Sequence, residues 1–328
     1  MRLLTRAQAI PESAAPQQVM ARRLREGIVT EHSPWSDMPN TIANEIERYL
    51  RTGDSDPVYR AWPGSVFEAG QRAQIDLRGA LVSEVRRLSK GRGHPAVPEQ
   101  VGNAFTRGKV EPMVRGLFRR AEQDVVLAML ERSVVYVTSE SIESLLLELD
   151  YDKSAWDVAN MYLRSVGAEM LGEEAMSIVG MSESTTCYVA PDYFTETDPF
   201  ADFIVHEAAH VFHNCKRRTI GLAETRTREW LLDLKFSKRE TFAYSCEAYS
   251  RILALAKNPT NRRELAAEFG SRVRFSEERV DFAEVANIVA EAASARNGWK
   301  AILARCAPTT RPRSALQLLR ESRLLDAG

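Results

Sequence analysis

The chain is short of cysteine and histidine, has no long apolar run and carries almost no net charge. Each shortage excludes something. Four cysteines stand in 328 residues, at Cys187, Cys215, Cys246 and Cys306. None forms a CxxC pair and the intervals are wide. A disulfide scaffold is therefore excluded, and free thiols in a reducing compartment are expected. No stretch approaches the roughly 18 uninterrupted apolar residues that a membrane helix requires. The opening MRLLTRAQAIPESAAPQQ lacks the apolar core of a secretory signal. A cytoplasmic location without membrane contact is the expectation, although export by a signal-free route would leave the same sequence. A net charge of −1 argues against a dedicated nucleic-acid binder. No internal repeat or low-complexity tract is visible.

The composition is that of an ordinary globular protein, and the length suits two domains better than one core. The charges nearly cancel but are unevenly spread. Residues 1–130 carry 19 Lys/Arg against 15 Asp/Glu, residues 131–209 carry 3 against 16, and residues 210–328 carry 22 against 14. Adjacent blocks of opposite sign are expected to dock or to be solvated faces; an acidic wall on a substrate cleft is the alternative.

Periodicity divides the chain near residue 130. Ile42, Ile46 and Leu50 form one helical stripe, and residues 75–89 and 113–130 repeat the period, separated by the Gly/Pro loop 91–100. Strand patterns follow at 133–139, 175–181 and 185–191, with helix at 153–171 between them. A helix reading FADFIVHEAAHVFHN is predicted next, with Thr197 or Asp198 as its cap. Residues 217–237 read as loop, and helical patterns close the chain at 239–256, 278–304 and 313–325. The expected architecture is helix-rich α+β. A helical region of unassigned role (1–130) precedes a domain (131–328) with a small sheet and an active-site helix.

Of only five histidines, three fall within eight residues: His206, His210 and His213. His206-Glu207-Ala208-Ala209-His210 is an HExxH motif. On a helix, positions i and i+4 differ by about 40° in direction and about 6 Å along the axis. Two imidazoles so placed can close on one tetrahedral zinc, while Glu207 projects beside them as a general base for a water. The flanking residues are uncharged, and neither proline nor glycine interrupts them, as a buried helix requires. His213 lies about 10 Å along the axis from His206, too far to join the same ion from a straight helix. It reads as a support for the ligands, a substrate contact or, most plainly, ordinary helix surface. The metzincin pattern is excluded, because His213 stands where that pattern has glycine and Lys216 where it has histidine.

A third ligand is to be sought downstream. Residues 238–253 read as a helix on which Glu240, Tyr244 and Glu247 share a face. Either glutamate can complete a His₂Glu set. HEAAH followed by Glu240-Thr241-Phe242-Ala243 resembles the gluzincin clan of zinc metallopeptidases, in particular its compact members of the anthrax lethal factor type. The resemblance covers about residues 175–255. It implies a zincin-like fold, His206, His210 and Glu240 as zinc ligands, Glu207 as the base, and a protein or peptide substrate. Tyr244 departs from it, since those segments often carry glutamate there, and Glu247 therefore competes with Glu240.

The strand at 185–191 directly precedes the HEAAH helix. In zincin folds an edge strand at this place pairs with substrate backbone; an interior hairpin without that role is the alternative. Tyr188, Tyr193 and Tyr244 are each candidate donors to an oxyanion. The function expected is metal-assisted peptide hydrolysis. The rival is a non-enzymatic helical partner-binding protein whose HExxH is structural or vestigial. The sequence does not indicate an oligomeric state.

Overall fold

The computed structural model describes residues 41–308 apart from 94–95, 174, 226–227 and 273–279. The helix expected at 313–325 lies outside the described residues. Among them, four helices come first: α1 (Ile42–Thr52), α2 (Val66–Ser89), α3 (Asn103–Leu117) and α4 (Arg120–Leu130). Then follow β1 (Val134–Tyr136), α5 (Ile142–Glu148), α6 (Asp152–Ser165), β2 (Gly180–Glu183), β3 (Thr186–Val189) and α7 (Phe203–Asn214). The last four helices are α8 (Arg239–Leu255), α9 (Pro259–Arg272), α10 (Phe282–Ser294) and α11 (Gly298–Cys306). The fold is helix-rich α+β with one small sheet. No described helix is long and apolar enough to cross a membrane.

Local chemistry sets the ends. Ser65 accepts the backbone N–H of Glu68, whose carboxylate reaches back to the Ser65 N–H, so α2 opens on a capping box. Gly53 closes α1 in the left-handed region, at φ 72°. The helical run 113–130 breaks at Phe118, which turns extended and drives its ring edge-on against Phe212 at 4.9 Å. The run 278–304 breaks likewise, where Asn297 caps α11 by accepting the Lys300 N–H. Helix α9 had no apolar stripe to announce it; proline at its first position was the available signal.

The sheet order is β1-β3-β2, with β1 parallel and β2 antiparallel to β3. Strand β3 is therefore central. Of the two readings of 185–191, the edge strand is corrected and the interior strand is what forms: the edge beside the HEAAH helix is β2, which shares only 180–181 with the expected 175–181 and extends into the expected turn to Glu183. Strand alternation makes the sheet a partition. Val134, Tyr136, Cys187 and Val189 face a core shared by α3, α4, α7, α8 and α11. Val135, Val137, Tyr188 and Ala190 face a second core built with α1, α2, α5 and α6. Both cores run across position 130. A third cluster joins α8, α9 and α10 around Ile252, Phe269 and Val285.

The blocks of opposite charge do meet, through the ion pairs Arg78–Asp152, Arg86–Glu143 and Lys109–Asp202. Arg78 is the most deeply placed, at 1 % exposure. Its guanidinium donates to Asp152 Oδ1 at 2.8 Å and to the carbonyls of Leu146 and Leu149 at 2.7 and 3.1 Å. It thus fastens α2 to the α5–α6 junction. Arg78→Met should lower unfolding stability by about 3–5 kcal/mol, the range for breaking one partner out of a buried pair. Arg78→Lys should not restore it, because an ammonium cannot span three divergent acceptors. Urea titration of the two variants checks this; a lysine variant as stable as the parent would refute the account.

Candidate metal centre

Helix α7 is buried from Ile204 to His213. Ile204, Val205, Ala208, Ala209, Val211 and Phe212 supply apolar packing on all sides, so the helix sits between α8, α3 and the sheet. Asp202, and neither Thr197 nor Asp198, stands at its N-cap position.

From this helix His206 and His210 present their Nε2 atoms to one another at 3.2 Å. Glu240, in the first turn of α8, brings Oε2 to 3.2 Å from His210 Nε2 and 3.8 Å from His206 Nε2. The three form a group that could hold a metal ion. A tetrahedral site with bonds of about 2.0–2.1 Å has ligand–ligand edges of about 3.4 Å, which these separations match. The Glu240 side chain is 30 % exposed, so the group opens to solvent on that side.

Glu247 lies on the opposite side of His206. Its Oε2 accepts the His206 Nδ1–H at 3.0 Å, and its Oε1 accepts the Asp202 backbone N–H at 2.8 Å. The geometry separates the two glutamates: Glu240 meets both Nε2 atoms, and Glu247 orients one ring. His213, read above as helix surface, is in fact buried, and its Nε2 lies 2.9 Å from His210 Nδ1. Its Nδ1 lies 3.0 Å from Asn214 Oδ1. With Asn214 Oδ1 as the acceptor, His210 Nδ1–H donates to His213 Nε2, and His213 Nδ1–H donates to Asn214. Both imidazoles then turn Nε2 toward Glu240.

In the metal-free chain burial lowers the His206 imidazole, but Glu240 and Glu247 outweigh it and hold the ring well above its ordinary value. Burial, then the neighbouring His210 and Arg239, push the His213 imidazole down to about 3, so it stays neutral and can accept. Burial pushes Glu240 up, but His206 and His210 outweigh it and hold the carboxyl well below its ordinary range. Burial raises Glu207, with Glu240 adding to the rise, against lowering by His206, His210 and Ser182. Glu207 is buried against strand β2: a Cβ placed on Gly180 would come within 2.9 Å of its Cγ and 3.0 Å of its Oε1.

The three candidate tyrosines separate. Tyr188 faces the second core, across the sheet from α7. Tyr193 donates its hydroxyl to Asp202 Oδ1 at 3.1 Å. Tyr244 is half-buried, its ring edge-on to His206 with centroids 4.5 Å apart. All four cysteines are buried and unbridged. Sequence reasoning missed Gly180, Ser182, Asp202 and Lys109. A Gly-x-Ser alternation ahead of HEAAH was the one available hint, since Lys109 lies 93 residues from Asp202. No protein-family model, curated protein or solved structure matches the chain.

A divalent-metal titration should separate the two glutamates. Glu240→Ala should abolish tight binding, whereas Glu247→Ala should retain a metal about 10–100-fold more weakly, as expected when a ligand loses its outer partner. Calorimetry showing the reverse order would overturn the assignment.

Proposed function

We propose that this chain is a zinc-dependent metallopeptidase with a zincin-like domain, akin to the gluzincins. The observation that carries the reading is the near-tetrahedral approach of His206 Nε2, His210 Nε2 and Glu240 Oε2, with Glu207 beside them on the same helix. Two imidazoles and one carboxylate are the donor set of a catalytic zinc that keeps a fourth position open. When bound, zinc supplies Lewis acidity, which acidifies a water and polarises a peptide carbonyl.

The remaining steps belong to the chain's own residues. Glu207, its carboxyl made more basic by burial, takes the proton from the attacking water and returns it to the leaving amine. Among the described residues strand β2 has a sheet neighbour on one side only, and it rests Gly180 against Glu207. An extended peptide pairing along that edge is held with its backbone beside the base. Tyr244, touching the His206 ring from the half-buried side, is the best placed of the three tyrosines to donate to the developing oxyanion. The substrate class is therefore protein or peptide, and a cytoplasmic setting suits the unbridged cysteines.

Purified chain should carry one zinc, and His206→Ala and His210→Ala should each lose it. Glu207→Gln should keep the metal and melt like the parent, yet lose about 10²–10⁴-fold in hydrolysis of a peptide library. Elemental analysis showing metal-free protein with no thermal shift on adding zinc would reject the reading. Wild-type turnover by Glu207→Gln would reject the mechanism alone.

Gly180 gives a second, independent check. Gly180→Ala places a methyl within 3.0 Å of the Glu207 carboxylate and must displace it. Zinc content should be unchanged while kcat/KM falls about 100-fold, the effect of misplacing a catalytic group by about 1 Å. Unchanged turnover would remove β2 from the active site.

A further inference from the structure

Behind His206 the hydrogen bonds continue inward, away from its Nε2. Glu247 joins the His206 ring to the backbone N–H of Asp202. The Asp202 carboxylate, 2 % exposed, uses both oxygens as well: Oδ2 lies 2.7 Å from Lys109 Nζ, and Oδ1 accepts the Tyr193 hydroxyl at 3.1 Å. Two carboxylates thus stand in series with all four oxygens engaged. Lys109 reaches the chain from α3, its ammonium flanked by the rings of Phe105 and Tyr193 at 5.4 and 5.8 Å.

The orientation of Asp202 is unusual for its place. An aspartate just ahead of a helix ordinarily turns its carboxylate inward to accept the first free N–H groups. Asp202 makes no such cap. Its carboxylate is drawn outward to Lys109 and Tyr193, while its own N–H is aimed at Glu247. The cation on α3 therefore decides which way Asp202 faces, and that choice supplies the second anchor that keeps Glu247 square to the His206 ring. We infer that Lys109 is a positioning residue for the metal centre, acting through Asp202 and Glu247 on the metal-facing nitrogen of His206. The inference rests on the reading of His206 as a metal ligand. It gives α3 a task at the site beyond packing on α7.

A structural ion pair would hold α3 to α7 without affecting the metal, so the test must read both. The probes are zinc, in competition with a chromophoric chelator, and cobalt(II), whose visible bands report ligand geometry; the melting of the metal-free full-length chain is followed alongside. Lys109→Met should weaken zinc about 10–100-fold and shift the cobalt bands. Arg107→Met, on the same helix as Lys109, is the comparison: it removes pairs to Glu111 and to Glu131 at the end of α4, and should lower melting without altering either metal readout. In an Asp202→Asn background, Lys109→Met should weaken zinc little further, because the route through Asp202 is already cut. Should Lys109→Met fail to fold, Asp202→Asn alone carries the same metal prediction. Parent-like zinc affinity and cobalt bands in Lys109→Met, even with lowered melting, would overturn the inference, as would full additivity in the double variant. A parent chain that binds neither metal would fail the metallopeptidase reading itself, a result seen before any variant is made.

Discussion

Buried charge must be paired, and that constraint organises the centre of this molecule. Helices α7 and α8 are apolar over most of their surfaces, yet they carry His206, Glu207, His210, His213, Glu240 and Glu247 within one neighbourhood. An unpaired ion taken out of water costs several kcal/mol, so such a set persists only if each member has a partner. Here Glu247 takes a ring N–H and a backbone N–H, and Glu240 faces two imidazole nitrogens. His210 finds His213, and His213 finds Asn214.

This pairing decides which atoms remain available for chemistry. Because Glu247 and His213 occupy the two Nδ1 atoms, His206 and His210 are both held with Nε2 turned toward Glu240. Burial keeps His213 neutral, so it accepts and never competes as a cation. A site preorganised this way needs little rearrangement to take a divalent ion, since the ligand separations already approximate a tetrahedron. Glu207 is kept out of that group by the same helix geometry that places it: one residue past His206, it is rotated about 100° toward strand β2.

Much of this was legible in the sequence, for reasons specific to particular residues. The HEAAH spacing is a property of one helix, and the apolar flanks of that helix guarantee burial, so His206, Glu207 and His210 could be read together. Helix α8 could also be placed, but choosing between Glu240 and Glu247 required the angle at which α8 crosses α7. That angle is set by packing and leaves no mark on local pattern. The reading of His213 as surface failed because position along an axis says nothing about which neighbours cover it. The strand at 185–191 was found, but local pattern left edge and interior placement both open. Strand order depends on β1, a three-residue strand more than fifty positions earlier whose parallel pairing no local signal specifies. Lys109 was invisible because a single lysine on an amphipathic helix reads as solvated surface.

The helices before residue 130 bear on the site by two physical routes. One is the ammonium that α3 delivers behind the HEAAH helix. The other runs through the sheet. Gly180 and Ser182 of β2 face Glu207, while Met181 packs in the second core with α1, α2 and α6. Alternation allows no other division: with a side-chain period of two, the residues that grip the second core and those that meet Glu207 are successive members of one strand. Any shift of α2 against α6, whose junction Arg78 ties, moves the anchor of β2 and with it the backbone that Glu207 rests on. The glycine at 180 sharpens this dependence, because contact between backbone and carboxylate leaves no side chain between them to absorb the displacement.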